Sequence, residues 1–440
     1  MISTDIPIHP RGVVIPKAYE TIQRKAKRDL TQWLFTGPPG SRRKVPVYLF
    51  VHHQDGSIRV PCAWFYMQRF RYVRNVLHTS VRMQFNGTLR EEQKQHVTKV
   101  IDVLRNEGAS TMVMRTGGGK TVCALFIASV LGVKTLILVH KTFLLDQWLD
   151  RIHHFVPGIK TSVVSGPRRD MHGDIVVGMF QTYSRQSIDI HEDIGLVIVD
   201  EAHHVAASTF TQVMLRGSQK YTLGLSATPE RQDGLDISPL TGDYVEHDTL
   251  HIKHTMDMSR VTVYIYKYSC DMYTEQPPVT RSGTVNYSSM VGKLVENTKR
   301  TTYICSLIRA ITKPCLILTH RRTHVNDIVK TLREYELDAQ EFIPGKRDVP
   351  DSMFVVSTYQ YASEGFDRKD LECLVMATPC KTTTQAIGRI CRNMENIQHD
   401  PEVIDIQDQW SVFISSGMKR RCEYRETKYT VFVKHHKEDN

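Results

Sequence analysis

Residues 114–121 read MRTGGGKT. Three glycines ahead of Lys-Thr, entered from the apolar run TMVM and left by TVCALFIASVLG, place a tight turn between a strand and a helix. Such a turn aims unpaired backbone N–H groups and the positive end of the helix dipole at a phosphate. The general phosphate-loop pattern is G-x-x-x-x-G-K-[ST]. Gly119, Lys120 and Thr121 satisfy its end, while Met114 stands where the opening glycine belongs. In that pattern Lys120 reaches the outer phosphates and the Thr121 hydroxyl ligates Mg²⁺. The bland reading of the same residues is a glycine turn with an exposed lysine.

Strand and helix patterns continue on both sides of the turn. LREEQKQHVTKVIDVLRNEG reads as a helix ended by Gly108. The apolar runs TLILVH, DIVVGMF, LVIVD and TLGLSA alternate with helical stretches. One of these, TFLLDQWLDRIHHF, puts Leu144, Leu145, Trp148, Leu149, Ile152 and Phe155 on one face. Between about 232 and 296 the alternation weakens, and MYTEQPPVTRSGTVNYSSM reads as an insertion or extended loop. It resumes with NTKRTTYICSLIRAI, CLILTH, HVNDIVKTLREYE, MFVVST, LECLVMA, TTTQAIGRICRN and VIDIQD. Alternation of this kind means an α/β fold, here two parallel-sheet units in succession, with ligands at the carboxyl ends of the strands. Residues 1–85 differ: short β-like runs, VPVYLFVHH and SIRVPCAWFY, are broken by TGPPGSRRK and QDGS. The expected division is 1–85, 86–240 and 241–440.

A second chemical station ends the run LVIVDEAHH. An apolar strand delivers Asp200 and Glu201 to its carboxyl end, one carboxylate to hold Mg²⁺ and one to polarise an attacking water. An acidic strand end or a helix cap is the plain alternative. With both stations present, the sequence resembles the superfamily 2 helicases and translocases of the DEAH-box type. Their phosphate loop commonly reads A-x-T-G-x-G-K-T, so Thr116, Gly117, Gly118, Gly119, Lys120 and Thr121 fit it and only Met114 departs. SATPER supplies Ser226 and Thr228, and DEAH supplies His203, as elements that couple hydrolysis to the nucleic-acid track. STYQYASEGFD supplies Gly365 and Asp367 on the nucleotide side, and QAIGRICR supplies Gln385, Arg389 and Arg392. The resemblance implies that Gln385 couples and that the two arginines reach the γ-phosphate. It also places Gln93 of LREEQ at adenine, and Lys141, Thr182 and Thr358 against a nucleic-acid backbone.

Charge points to the same partner. The chain carries a formal excess of +10, and residues 1–85 hold 14 Lys and Arg against 4 Asp and Glu, so the whole excess lies there. Within WFYMQRFRYVRNV, Arg69, Arg71 and Arg74 interleave with Trp64, Phe65, Tyr66, Phe70 and Tyr72. Arginines for phosphates beside rings for stacking are the ingredients of a nucleic-acid surface, although an alternating strand would look the same. Nine cysteines without a C-x-x-C pair, and histidines in adjacent pairs, argue against a disulfide framework or a zinc site. No apolar run of membrane-spanning length and no secretory leader is evident, which leads to the expectation of an intracellular protein without membrane partners.

The motifs lie between residues 89 and 392, and SATPERQDG with LREEQ resembles the XPB- and UvsW-like branch. The ending GMKRRCEYRETKYTVFV is similar to that of helicases of large DNA viruses, including the poxvirus transcript-release helicase and iridovirus relatives. For such a member the host cytoplasm or nucleus, and the virion, are the expected settings. The resemblance implies two tandem RecA-like parallel-sheet lobes behind a small basic, β-containing N-terminal domain. It further implies ATP and Mg²⁺ as cofactors, and DNA (duplex, branched or single-stranded) as partner in transcription termination, repair or recombination. The alternatives are an RNA helicase or a partner in a transcription complex, a nucleic-acid-binding scaffold with a decayed motor, and a nuclease. Intact Lys120, Asp200, Glu201, Arg389 and Arg392 argue against decay, and no further carboxylate cluster favours a nuclease.

Overall fold

The computed structural model describes residues 6–36, 43–74, 77–114, 118–202, 207–227, 234–246, 258–280, 283–343, 349–366, 368, 370–380, 383–391 and 400–437. The chain divides into two units, Met1–Thr249 and Leu250–Asn440.

The first unit is built on an eight-stranded sheet. Its order is Arg168–Arg169, Thr161–Ser165, Ile175–Met179, Thr135–Val139, Leu196–Val199, Tyr221–Ser226, Ala109–Val113 and Tyr244–Glu246. All neighbours are parallel except the edge strand Arg168–Arg169. Helices cover both faces, so a central strand must be apolar on both sides, and five of these strands have every residue buried. Leu136 and Leu138 enter one core while Ile137 and Val139 enter the other. The helix Glu91–Glu107 ends where expected, at Gly108 with φ of 72°, whose N–H donates to Leu104 O. The strand Tyr244–Glu246 extends this sheet past residue 240.

Residues of the N-terminal segment form a five-stranded sheet, ordered Val51–His52, Ile58–Val60, Gly12–Ile15, Ile6–His9 and Tyr72–Arg74, and a separate two-stranded ribbon, Thr31–Thr36 with Arg43–Tyr48. The five-stranded sheet is not an independent bead. Ile6, Ile8, Val13, Ile15, Ile58 and Val60 share one core with Leu136, Leu138 and Val197 of the parallel sheet and Phe210 of the helix Ala207–Met214. The run SIRVPCAWFY is a strand only as far as Val60. Pro61 cannot donate to a ladder, and Cys62–Met67 turns into a short helix with Cys62, Ala63, Trp64, Phe65 and Tyr66 all buried. Five consecutive buried residues carry no helical periodicity, which is why the stretch reads as a strand.

Among the described residues the second unit holds seven strands, all parallel, in the order Ala339–Phe342, Phe354–Thr358, Cys315–Thr319, Cys373–Met376, Glu402–Asp408, Thr262–Ser269 and Thr430–Lys437. The region of weakened alternation, about 232–296, therefore contains an inner strand, Thr262–Ser269, ahead of the run read as an insertion and paired on both sides. Its Val263 and Ile265 are fully buried, while Tyr264, Tyr266 and Lys267 keep partial exposure. Alternation with tyrosine, which is apolar in body and polar at its tip, disguised the strand. Tyr287–Glu296 is a helix capped by Asn286, whose side chain accepts from Ser289 N–H.

Two histidines of this unit make its stability pH-dependent. His324 is fully buried between Thr301 Oγ1 at 3.2 Å and Thr319 Oγ1 at 2.7 Å. Burial, with the charge of Arg300 beside it, lowers its pKa to about 3. Burial and Arg321 lower that of His320 to about 4. Both are neutral when folded and gain a proton on unfolding between about pH 6.5 and 4, so the unfolded state binds more protons and stability falls as the pH drops through that window. Melting temperatures measured from pH 7 to 5 are expected to decline, with a shallower slope in His324→Gln. An unchanged slope in that variant would assign the effect to other groups.

Candidate functional site

Three strands of the first unit end side by side. Val113 lies opposite Ser226, and Met114 N–H donates to Ser226 O at 3.0 Å. On the other flank Val199 lies opposite Gly224. Their carboxyl ends bring the glycine turn, Ser226 and Asp200 to one edge of the sheet.

The turn passes through a glycine in a backbone conformation that other residues adopt only under strain. Gly119 has φ of +91°, and a Cβ there would lie 2.4 Å from Gln93 Nε2. Gln93 itself is buried: its Nε2 donates to Gly118 O at 2.8 Å and its Oε1 accepts Arg90 N–H at 2.9 Å. Arg90 Nη2 adds a second bond to Gly118 O at 2.9 Å. The start of helix Glu91–Glu107 is thereby stapled to the turn. Helix Lys120–Leu131 follows, with Lys120 and Thr121 in its first turn, where backbone N–H groups have no helical partner.

Lys120 Nζ stands 3.6 Å from Glu201 Oε1 and donates to Met114 O at 3.4 Å. Asp200 is buried and accepts from Trp148 Nε1 at 2.8 Å. Burial first, and then the neighbouring charge of Glu201, push its carboxyl up to about 6, against the Trp148 bond and Lys120. Glu201 adopts φ of 46°, left-handed backbone that a non-glycine residue holds only at a cost. Carboxylate and hydroxyl oxygens from Asp200, Glu201 and Thr121 make a hard donor set, suited to Mg²⁺ rather than to a softer metal. A buried carboxylate beside a second one is also a place where a divalent cation relieves an electrostatic cost.

Trp148 and Arg90 were not singled out from the sequence as site residues. Trp148 reads there as one more apolar residue on a helix face; only the indole N–H, which a buried tryptophan must satisfy, hints at an acceptor nearby.

In the second unit, Gly365 closes helix Tyr359–Gly365, and Gln385, Gly388 and Arg389 lie on helix Thr384–Ile390. Two buried guanidinium groups hold the backbone that leads toward the latter helix. Arg300 Nη2 donates to Ala377 O and Arg420 Nη1 to Cys380 O, both at 2.8 Å. Arg300 pairs with Asp408, and Arg420 with Asp405. Thr116, Gly117, His203, Thr228, Asp367 and Arg392 lie outside the described residues, as do the side chains of Arg74, Gln385 and Arg389.

Among the expected nucleic-acid contacts, Lys141 follows strand Thr135–Val139 and precedes helix Thr142–Phe155, and burial lowers its pKa. Thr182 Oγ1 accepts Gly166 N–H at 3.0 Å. Thr358 Oγ1 caps its helix by accepting Tyr361 N–H at 3.2 Å. Arg69 and Arg71 are exposed, Arg69 in a 3.1 Å ion pair with Glu107. The rings beside them do not form the expected stacking surface. Trp64, Phe65 and Tyr66 are core residues, and of that group only Tyr72 is well exposed. Among the described residues no helix is long and apolar enough to cross a membrane.

Residues 86–231 match the family described as "Type III restriction enzyme, res subunit". The chain is 29% identical over 366 residues to "Putative ATP-dependent RNA helicase L396" of Acanthamoeba polyphaga mimivirus, covering 79% of this chain and 70% of that protein. It is 25% identical to "Putative helicase 055L" of Frog virus 3, covering 80% and 82%. The chain is thus similar, over about four fifths of its length, to helicases of large DNA viruses. Its fold agrees with that of a solved ATP-dependent type ISP restriction-modification enzyme, LlaBIII, bound to DNA, at a TM-score of 0.55 and 13% identity over 80% of this chain and 32% of that one. The two parallel sheets have the arrangement of helicase RecA-like lobes, and these similarities support a helicase-type enzyme.

Proposed function

We propose that this protein is a DNA-directed motor in which the first lobe runs from residue 86 through strand Tyr244–Glu246, the second lies within residues 250–440, and the basic residues 1–85 add contacts to the nucleic acid. The observation that carries this reading is the cluster of Lys120, Glu201 and Asp200 at the carboxyl edge of the first sheet. Lys120 binds the outer phosphates of ATP, and the first-turn N–H groups of its helix complete the cradle. Thr121 and Asp200 would hold Mg²⁺, which when bound neutralises charge on the phosphates. Glu201 orients a water for attack and takes up its proton. Trp148 fixes the Asp200 carboxylate in one orientation, as partners behind a metal ligand do. Gln93 braces the turn, and its amide retains one N–H and one lone pair for adenine. Gly365, Asp367, Arg389 and Arg392 serve the same nucleotide from the second lobe; His203, Ser226, Thr228 and Gln385 couple it to the track.

DNA as substrate is supported by the basic excess and by the resemblance to the XPB- and UvsW-like branch, which points to transcription, repair or recombination. RNA is favoured by the names of relatives from mimivirus and African swine fever virus, each called a putative ATP-dependent RNA helicase. ATP hydrolysis measured with single-stranded, duplex and branched DNA and with matching RNA separates the two. Stimulation by DNA is the expected result. Greater stimulation by RNA would transfer the assignment, and no hydrolysis with any strand would leave a scaffold.

A further inference from the structure

The two-stranded ribbon of the N-terminal segment presents an unusual surface. Thr31–Thr36 pairs antiparallel with Arg43–Tyr48, with Thr31 opposite Tyr48, Trp33 opposite Pro46 and Phe35 opposite Lys44. Directly opposed residues share a face, so Trp33, Tyr48 and Lys44 stand together on one side. Trp33 is 50% and Tyr48 57% exposed, and Lys44 Nζ lies 5.0 Å from the centre of the Trp33 ring. Leu34 and Val47 on the opposite face pack against the core of the first unit.

That inward face is also tied down by a specific link. Gln32 Nε2 donates to Asp236 O and Gln32 Oε1 accepts Asp236 N–H, each at 2.8 Å. Asp236 follows Ser226 by ten residues in the lobe that carries Lys120 and Asp200. The ribbon is therefore a fixed part of the motor lobe with one side committed to it and one side bare. Residues 31–48 include Arg42, Arg43 and Lys44 and no acidic residue, within the segment that carries the whole excess charge of the chain.

We infer that the Trp33–Tyr48–Lys44 face of this ribbon is a stacking platform for unpaired nucleotides. Bare rings on a two-stranded ribbon bury little against a duplex, whose bases already stack on each other. An unpaired base offers a free π-face to an indole or phenol, and an ammonium beside the ring meets the phosphate of the same strand. The occupant is a single strand of DNA or RNA, since stacking does not distinguish them. This inference rests on the reading of the chain as a nucleic-acid motor, and adds a contact distinct from Arg69, Arg71 and Arg74.

The test measures binding of fluorescent oligonucleotides, single-stranded DNA, single-stranded RNA and duplex DNA, to the full chain at several salt concentrations. Trp33→Ala with Tyr48→Ala is expected to weaken single-strand binding roughly ten- to a hundredfold at fixed salt. Duplex binding and ATP hydrolysis without nucleic acid should stay within about twofold, because these rings are exposed and remote in sequence from the motifs. Trp33→Phe retains most of the affinity, and Lys44→Gln lowers the salt slope by about 0.7 for a single strand. Equal losses on single strand and duplex would overturn the platform, as would no loss on either; the latter leaves the face to a protein partner. If the parent chain binds no strand at all, the motor reading fails instead, so the two failures are told apart.

Discussion

Lys120→Ala is expected to lower nucleic-acid-stimulated ATP hydrolysis by about 10²–10³-fold or more, because a preorganised cation at the transferring phosphate acts where charge develops. The fold should survive the change. The Lys120 ammonium makes two long contacts, 3.4 Å to Met114 O and 3.6 Å to Glu201, and neither is of a length that contributes much stability. Glu201→Gln provides the contrast. It keeps the size of the side chain and removes the base, so turnover drops by about 10²–10⁴-fold while nucleotide binding is retained. A nucleotide-binding assay beside steady-state hydrolysis separates the two defects: Lys120→Ala loses affinity and rate, Glu201→Gln mainly rate. Substantial hydrolysis by Lys120→Ala would remove the assignment of the glycine turn as the phosphate cradle.

What made this site legible was contiguity. The glycine turn and the Asp200–Glu201 pair are local patterns at the ends of apolar strands, and strand ends are where such folds place ligands. Burial in the parallel sheets was readable for the same reason, since a strand covered on both faces must be apolar throughout. The features that were not legible depend on contacts between distant residues. Trp148 acquires its role only because helix Thr142–Phe155 carries its indole to Asp200, 52 positions on. The rings of Trp64, Phe65 and Tyr66, beside arginines in sequence, are drawn into the core by the helix that Pro61 starts, whereas Trp33, in an unremarked stretch, and Tyr48, in a run read only as β-like, remain at the surface. The strand Thr262–Ser269 was hidden because tyrosine, apolar in body and polar at its tip, alternates with its aliphatic residues. Nothing in the spacing of Arg300 and Arg420 along the sequence announces that both are buried.

Those buried arginines yield the second large effect. Arg300 and Asp408 are fully buried, with Nε to Oδ1 at 2.7 Å and Nη2 to Oδ2 at 2.9 Å, and Tyr273 O–H donates to the same carboxylate at 2.5 Å. In water-free surroundings a guanidinium without its carboxylate is worse than no charge at all. Asp408→Ala is therefore expected to destabilise the second unit by about 3–5 kcal/mol. For a unit of this size that is a fall in melting temperature of roughly 6–20 °C. Calorimetry of the full chain should show it in one transition, and a shift below about 2 °C would mean the pair carries little. Arg300→Met combined with Asp408→Leu removes both charges and should recover most of the loss, since a well-packed apolar pair can replace a buried ion pair. The double variant also isolates the function of the pair. It lacks the Arg300 bond to Ala377 O, which steadies the backbone leading toward the helix of Gln385, Gly388 and Arg389. Stability restored with strand-stimulated hydrolysis still depressed would make Arg300 a positioning residue for that helix; both restored would leave it a structural one.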